Sequence, residues 1–176
     1  HRRIARSRGV RAALRRDHAE RERAASERKP PSSPLTNDPA SLLFKFAFAT
    51  SGAKLESRDK HLVSDVFLIP DGDASVPFRI RIVARQVHSR RHGQCFKTSR
   101  GWGRLELKCE AAVIFNDMRP VTFTFQVGRE PLRGPVTHDF KSCIVAGLSS
   151  NDEYWDLCAA VNPDTNNFEV ILEVIG

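Results

Sequence analysis

The chain has 176 residues, with 28 Lys+Arg against 21 Asp+Glu, for a formal charge of +7. The first sixteen residues, HRRIARSRGVRAALRR, hold seven arginines and no acid, so the remaining chain carries twenty-one charges of each sign. Charge concentrated at one end reads as a tail for a polyanionic partner rather than as a solubilising surface. No apolar run approaches the roughly 20 residues of a membrane-spanning helix, and no apolar h-region follows the basic opening, so neither a membrane partner nor a secretory signal is expected.

Arg2, Arg3, Arg6, Arg8, Arg11, Arg15 and Arg16 form the arm's candidate nucleic-acid-binding set. Guanidinium is permanently charged and grips phosphate through a planar fork. A solvated tail or an organelle presequence would have the same composition. Residues 8 to 28 contain Ala12, Ala13, Leu14, Ala19 and Ala25, and pair Glu20 with Arg16 and Arg23 at helical spacing, so a marginal helix is predicted there. The domain boundaries follow: 1–28 is a basic, partly helical arm, 29–41 is a hinge marked by Pro30, Pro31, Pro34 and Pro39, and 42–176 is a β domain.

From residue 42 the apolar period becomes two. Phe44, Phe46 and Phe48 share one face. Phe78, Ile80, Ile82 and Ala84 alternate with Arg79, Arg81 and Arg85. Leu105 to Val113, Val121 to Val127 and Phe168 to Val174 alternate in the same way. These are half-buried antiparallel strands. Less regular strands are predicted near 62–69, 137–146 and 153–161. The fold class is therefore all-β, an eight-stranded antiparallel β-sandwich.

The basic stretch 87–104, with Phe96 and Trp102, reads either as a surface that stacks bases or as a long loop anchored by its aromatics. His88, His92 and Cys95 have a ligand-like spacing but lack a fourth member, so no metal and no cofactor is expected. The neighbours His138 and Asp139 read as a strand end rather than a dyad. With no nucleophile elbow, P-loop or H-E-x-x-H, no catalytic residues and no enzyme are expected. Trp102, Tyr154 and Trp155 are the candidate subunit- or peptide-contact residues, because large aromatics are enriched at interfaces. Cys95, Cys109, Cys143 and Cys158 lie far apart and are expected as free thiols, with Cys109 in a strand core.

The combination of basic arm, proline hinge and eight-stranded β domain resembles the jelly-roll coat proteins of small icosahedral viruses. Trp155 and Leu157, Asn162-Pro163 and Phe168-Glu169-Val170 look like the last two strands of como-like plant virus coats, and Trp102-Gly103 is similar to a strand entry in them. That resemblance implies a jelly roll and a capsid subunit that packs with other copies of itself or related coat subunits. It also implies packaging of viral nucleic acid, chiefly single-stranded RNA, and residence in the virion and, during assembly, the host cytoplasm. Such coats do not usually depend on an Arg-rich arm. The domain also resembles the TRAF-C/MATH sandwich, a peptide-binding adaptor, through residues 64–67 (SDVF), 138–140 (HDF), the Trp155–Leu157 pair and the terminal FEVILEV. The Trp-x-Ile-x-Asn-Phe opening of that family is absent.

Overall fold

Alternation of large apolar and polar side chains commits the chain to strands whose apolar faces must be covered by a second sheet. The computed structural model describes residues 42–88, 93–111 and 118–176. The arm with its seven arginines and its predicted helix, the proline hinge and His92 lie outside the described residues.

The described residues form ten strands: β1 (Leu42–Ser51), β2 (His61–Val63), β3 (Phe67–Asp71), β4 (Ala74–Ala84), β5 (Trp102–Cys109), β6 (Val121–Val127), β7 (Arg133–His138), β8 (Val145–Gly147), β9 (Tyr154–Asp156) and β10 (Asn167–Ile175). They form two antiparallel sheets. One has the order β1-β10-β6-β7; the other has β2-β4-β5-β8, with β3 also on β4 and β9 also on β5. The expected all-β sandwich is the observed architecture.

The count exceeds eight because two predicted strands are each divided in two; a third is cut short. In 62–69, the Ser64 hydroxyl accepts from the Ile80 N–H at 3.0 Å in place of a backbone carbonyl. That substitution breaks the ladder between β2 and β3, though both still lie on β4. Region 137–146 turns at Asp139, whose carboxylate accepts from Lys141 N–H and whose carbonyl accepts from Ser142 N–H; the chain thereby leaves one sheet for the other. Region 153–161 is strand only over β9. After it, Asp156 Oδ1 accepts from Ala159 N–H, and Leu157 and Cys158 carbonyls accept from Ala160 and Val161 in tight turns. The expected run to Val113 stops in β5 at Cys109, and residues 112–117 lie outside the described residues.

The first strand pairs with the last, β1 with β10. β3–β4, β4–β5 and β6–β7 are hairpin or near-neighbour pairs within one sheet.

Between the sheets, Phe78, Ile80 and Ile82 of β4 and Leu105 and Leu107 of β5 meet Phe123 and Phe125 of β6 and Val170 and Leu172 of β10, all essentially inaccessible to solvent. Phe140 meets Phe78 edge-on at 4.9 Å. Along one open side, Phe44 and Phe46 of edge strand β1 stack on Phe67 of β3, at 5.8 and 4.0 Å between centroids. Those β1 phenylalanines are half-buried, and among the described residues β1 has a neighbour on one flank only. Truncating Phe78 to Ala removes a ring from the centre of this core. The expected cost is about 3–5 kcal/mol, read as a lowered urea midpoint with unchanged slope.

Candidate docking edge

Strand β9 is three residues long, and its register with β5 decides what each aromatic does. Trp102 lies opposite Asp156, Gly103 opposite Trp155 and Arg104 opposite Tyr154. Side chains alternate faces, so consecutive residues cannot share one. Trp102 and Tyr154 therefore share the outer face, and Trp155 points into the sandwich with no exposed surface. Of the three residues expected to make contacts, Trp102 and Tyr154 lie on the outer face. Trp155 is a core residue, because the period of two sends it inward beside an outward Tyr154.

On the outer face, Arg85 follows directly after β4, its N–H donating to the Trp102 carbonyl at 2.8 Å. Its guanidinium stands over both rings, 5.1 Å from the Tyr154 centroid and 6.0 Å from that of Trp102, which remains 37 % exposed. Cation–π attraction holds the arginine without discharging it.

Behind Tyr154, Arg133 joins the two sheets. A bulge in the β6–β7 pairing, between Phe123 and Phe125, aligns Arg133 with Phe125 on the inner side of β7. Its guanidinium lies 3.7 Å from the Trp155 ring centroid, and Nη1 donates to the carbonyls of Asp152 (3.1 Å) and Tyr154 (2.7 Å). The bulge needs Gly134: its φ is +112°, and a Cβ there would meet the Phe123 carbonyl oxygen at 3.0 Å. Sequence reading missed Arg133, since one arginine in EPLRGP has no periodic signal; the Gly after it was the available hint of a bulge. Trp155 Nε1 is buried without a partner among the described residues, which places its stability cost at this same spot.

Among the described residues, no strand pairs with the far side of this edge. Leu157 N–H donates to the Gly101 carbonyl. By antiparallel parity, Trp155 bonds inward to β5, while the N–H and C=O groups of Tyr154 and Asp156 face away from it. On β8, Cys109 N–H donates to the Ile144 carbonyl, so Val145 and Gly147 likewise turn their backbone groups outward. Side chains already meet two of the outward carbonyls, Arg133 at Tyr154 and the Cys143 thiol at Val145 (3.3 Å).

Next to this edge, the outer face of β4 and β5 is a charge ladder. Arg79 lies opposite Lys108, a like-charge pair, and Glu110 bridges both at 3.5 and 3.1 Å. Arg81 and Arg104 share Glu106 at 3.5 and 3.0 Å. Burial works to lower the pKa of Arg104, but the Glu106 charge and hydrogen bond outweigh it and leave the value raised. At the margin of the face, burial and the Arg81 charge hold His61 below its ordinary 6.5.

The remaining sequence candidates have local partners. Cys95 caps the short helix α1 (Phe96–Ser99), its sulfur accepting from Thr98 N–H and meeting Thr98 Oγ1 at 2.9 Å. The Thr98 side-chain hydrogen bond holds the Cys95 thiol below its usual pKa, against the opposing effect of burial. Within 87–104, Phe96 is fully buried and Trp102 opens β5, an arrangement that matches an anchored connection. His138 Nε2 meets the Cys143 carbonyl at 2.8 Å while Asp139 caps its own turn, so these neighbours serve different partners. All four cysteines are free thiols, and Cys109 is buried in β5. Among the described residues, no three His, Cys, Asp or Glu side chains cluster at metal-binding distance.

No known protein family and no curated protein matches this chain.

Two outcomes follow from this geometry. Arg133→Met keeps a stem of similar length but loses both carbonyl bonds and the stacked charge. The expected cost is about 1–3 kcal/mol, with amide hydrogen exchange accelerated at residues 152–156 ahead of the β4–β5 core. The second outcome concerns His61. Its folded-state pKa is lowered, so the unfolded chain takes up the proton first as pH falls. The contribution is fully present above about 6.5 and is lost as pH drops below that value. Urea midpoints compared at neutral and mildly acidic pH should fall less in His61→Gln than in the parent.

Proposed function

We propose that this chain is a non-catalytic adaptor whose sandwich docks an extended segment of a partner protein along the open edge of β8 and β9, in the manner that its likeness to TRAF-C/MATH domains implies. The observation that carries this reading is the edge itself: outward backbone groups at Val145, Gly147, Tyr154 and Asp156, beside the cluster of half-buried Tyr154 with exposed Arg85 and Trp102. A sheet edge supplies main-chain hydrogen bonds to an added strand, and pockets or side chains on its flank supply selectivity. Tyrosine, tryptophan and arginine are the side chains that dominate binding hot spots. The in-sheet pairs β4–β5 and β6–β7 also favour an adaptor sandwich over a jelly roll.

The arm has a separate task in this proposal. Seven arginines without an acid suit a polyanion such as single-stranded RNA or DNA. The arm is also the one observation that favours the second reading, a capsid subunit that wraps a genome.

Two measurements separate these readings. In the first, negative-stain electron microscopy of the purified protein is expected to show monomers or small oligomers; closed particles containing RNA would carry the capsid reading and overturn the adaptor. The second is Val145→Pro, which removes one outward N–H and no ladder bond, a placement that edge strands tolerate. Binding to an array of short extended peptides is expected to fall about 3- to 10-fold, the worth of one hydrogen bond, with the melting temperature held. Unchanged binding to the variant would exclude strand addition at β8.

A further inference from the structure

The outer faces of β4 and β5 carry a track of positive charge that the overall charge balance conceals. Register sets four rows across the two strands: Arg79 opposite Lys108, Arg81 opposite Glu106, Val83 opposite Arg104, and Arg85 beside Trp102, whose carbonyl accepts from its N–H. Every row therefore holds a cation. Rows repeat at about 6.8 Å, so the track runs for about 20 Å. The one acid within the rows is Glu106. Its side chain is 10 % exposed, whereas Arg81 and Arg104, which share it, are 27 % and 42 % exposed. Other acids stand at the margins. Glu110 lies one step past Lys108 and bridges it to Arg79. Asp65 follows Ser64, whose carbonyl accepts from Arg79. Asp156 lies across Trp102 from Arg85, and Glu153, whose charge reaches Arg104, precedes β9. Arg85 has aromatic rings for neighbours and no ion pair among the described residues.

Strand addition cannot use this face. β4 lies between β2 with β3 and β5, and β5 lies between β4 and β8 with β9, so both have neighbours on each flank. The face offers side chains only: a cation in every row and, at one end, rings. Cations at a steady interval suit a polymer that carries a charge on every repeat. Trp102 is half open, with the Arg85 guanidinium beside it and over Tyr154. An open indole next to a guanidinium plane suits a base that is not already stacked in a duplex. Among the described residues no helix exceeds the five residues of Gly52–Glu56, too few to lie along a duplex groove.

From these observations we infer that the outer face of β4 and β5 binds a single-stranded nucleic acid, with phosphates along Arg79, Lys108, Arg81, Arg104 and Arg85 and a base on the Trp102 ring. This goes beyond the peptide-docking reading and does not depend on it, because the docked peptide bonds to the far flank of β8 and β9. Each guanidinium receives a phosphate through its planar fork. Glu106 keeps Arg81 and Arg104 side by side without standing as far out as they do. The contacts meet charge and a ring face and no base edge, so binding is indifferent to sequence and weakens with salt.

The test uses the full chain, so that the arginine arm is present in every protein compared. The chain has two tryptophans and Trp155 is buried, so Trp102 fluorescence reports on this face and not on the arm. An unpaired RNA of about 12 nucleotides is titrated in at several salt concentrations. It is expected to quench the parent and to leave Trp102→Leu, in which Trp155 alone emits, unquenched. In Arg79→Gln/Arg81→Gln/Arg85→Gln, affinity should fall about 10-fold, and the slope of log K against log salt should be shallower by about 2. That variant leaves Glu106 with Arg104 and Glu110 with Lys108, and a melting curve checks its fold. The quench in the parent needs no variant. Absence of that quench, equal quenching in Trp102→Leu, or an unchanged affinity and slope in the folded triple variant would leave the RNA on the arm alone and overturn the inference. A glutamate peptide of equal charge that quenches Trp102 and loses as much affinity in the triple variant would make the face a surface for acidic protein, and would overturn it too.

Discussion

Each sheet of this protein has one apolar face, and neither face can remain in water; packing one against the other is the constraint from which the rest follows. Burying Phe78, Ile80, Ile82, Leu105 and Leu107 against Phe123, Phe125, Val170 and Leu172 fixes which residues point inward on four strands. It thereby fixes which residues point outward. A slip of one residue in any strand would exchange the two sets, so the register that builds the core is also the register that builds the charged outer face. The ladder of Arg79, Arg81, Glu106 and Lys108 is the complement of the core, set by the same period.

A two-sheet sandwich has two open sides, and this one closes them by different chemistry. Between β1 and β3, rings close the gap, Phe44 and Phe46 on Phe67. Between β7 and β9 the closure is a guanidinium on an indole, with hydrogen bonds to two carbonyls. The apolar burial in that closure is nondirectional and tolerates exchange of one apolar residue for another of similar volume. The arginine closure depends on a fork reaching particular oxygens, which in turn depends on the bulge at Gly134. The second side is thus the more specific and the more easily opened. That side bears the backbone edge to which a partner strand would add. A short β8 and a short β9, separated by a loop and plugged at two carbonyls, form an edge restrained from pairing with every passing strand.

Much of this was legible in the sequence, because alternation is a local signal. The strands at 78–84, 121–127 and 168–174 could be read directly, and the sandwich followed from them. What could not be read was decided by single polar atoms or by distant partners. Nothing local in SDVF says that the Ser64 hydroxyl will take the place of a carbonyl and divide one edge strand in two. Nor does YWD say which of its aromatics faces out; that depends on the register with β5 more than fifty positions earlier. Trp102 and Tyr154 share one face, and their link is Arg85, which the alternation of β4 had marked only as a solvated position. Strand order, the feature that separates a nested jelly roll from in-sheet hairpins, is a matter of long-range pairing and has no local signature.

Charge shows the same limit of counting. After the opening sixteen residues the chain balances at twenty-one of each sign, which by itself describes a neutral body. Neutrality is a sum, whereas a partner meets a surface. When a carboxylate sinks between two guanidinium groups it cancels half of their charge and withdraws from contact, leaving the cations as the outermost layer. A buried acid of this kind costs desolvation energy, and it is retained where its hydrogen bonds hold flexible cationic side chains in place. Arg81 and Arg104 would otherwise be free to spread away from each other; pinned to Glu106, they stay side by side in positions a ligand can use. The acids of this face thus serve to arrange its positive charge, and a balanced composition is compatible with a locally cationic surface.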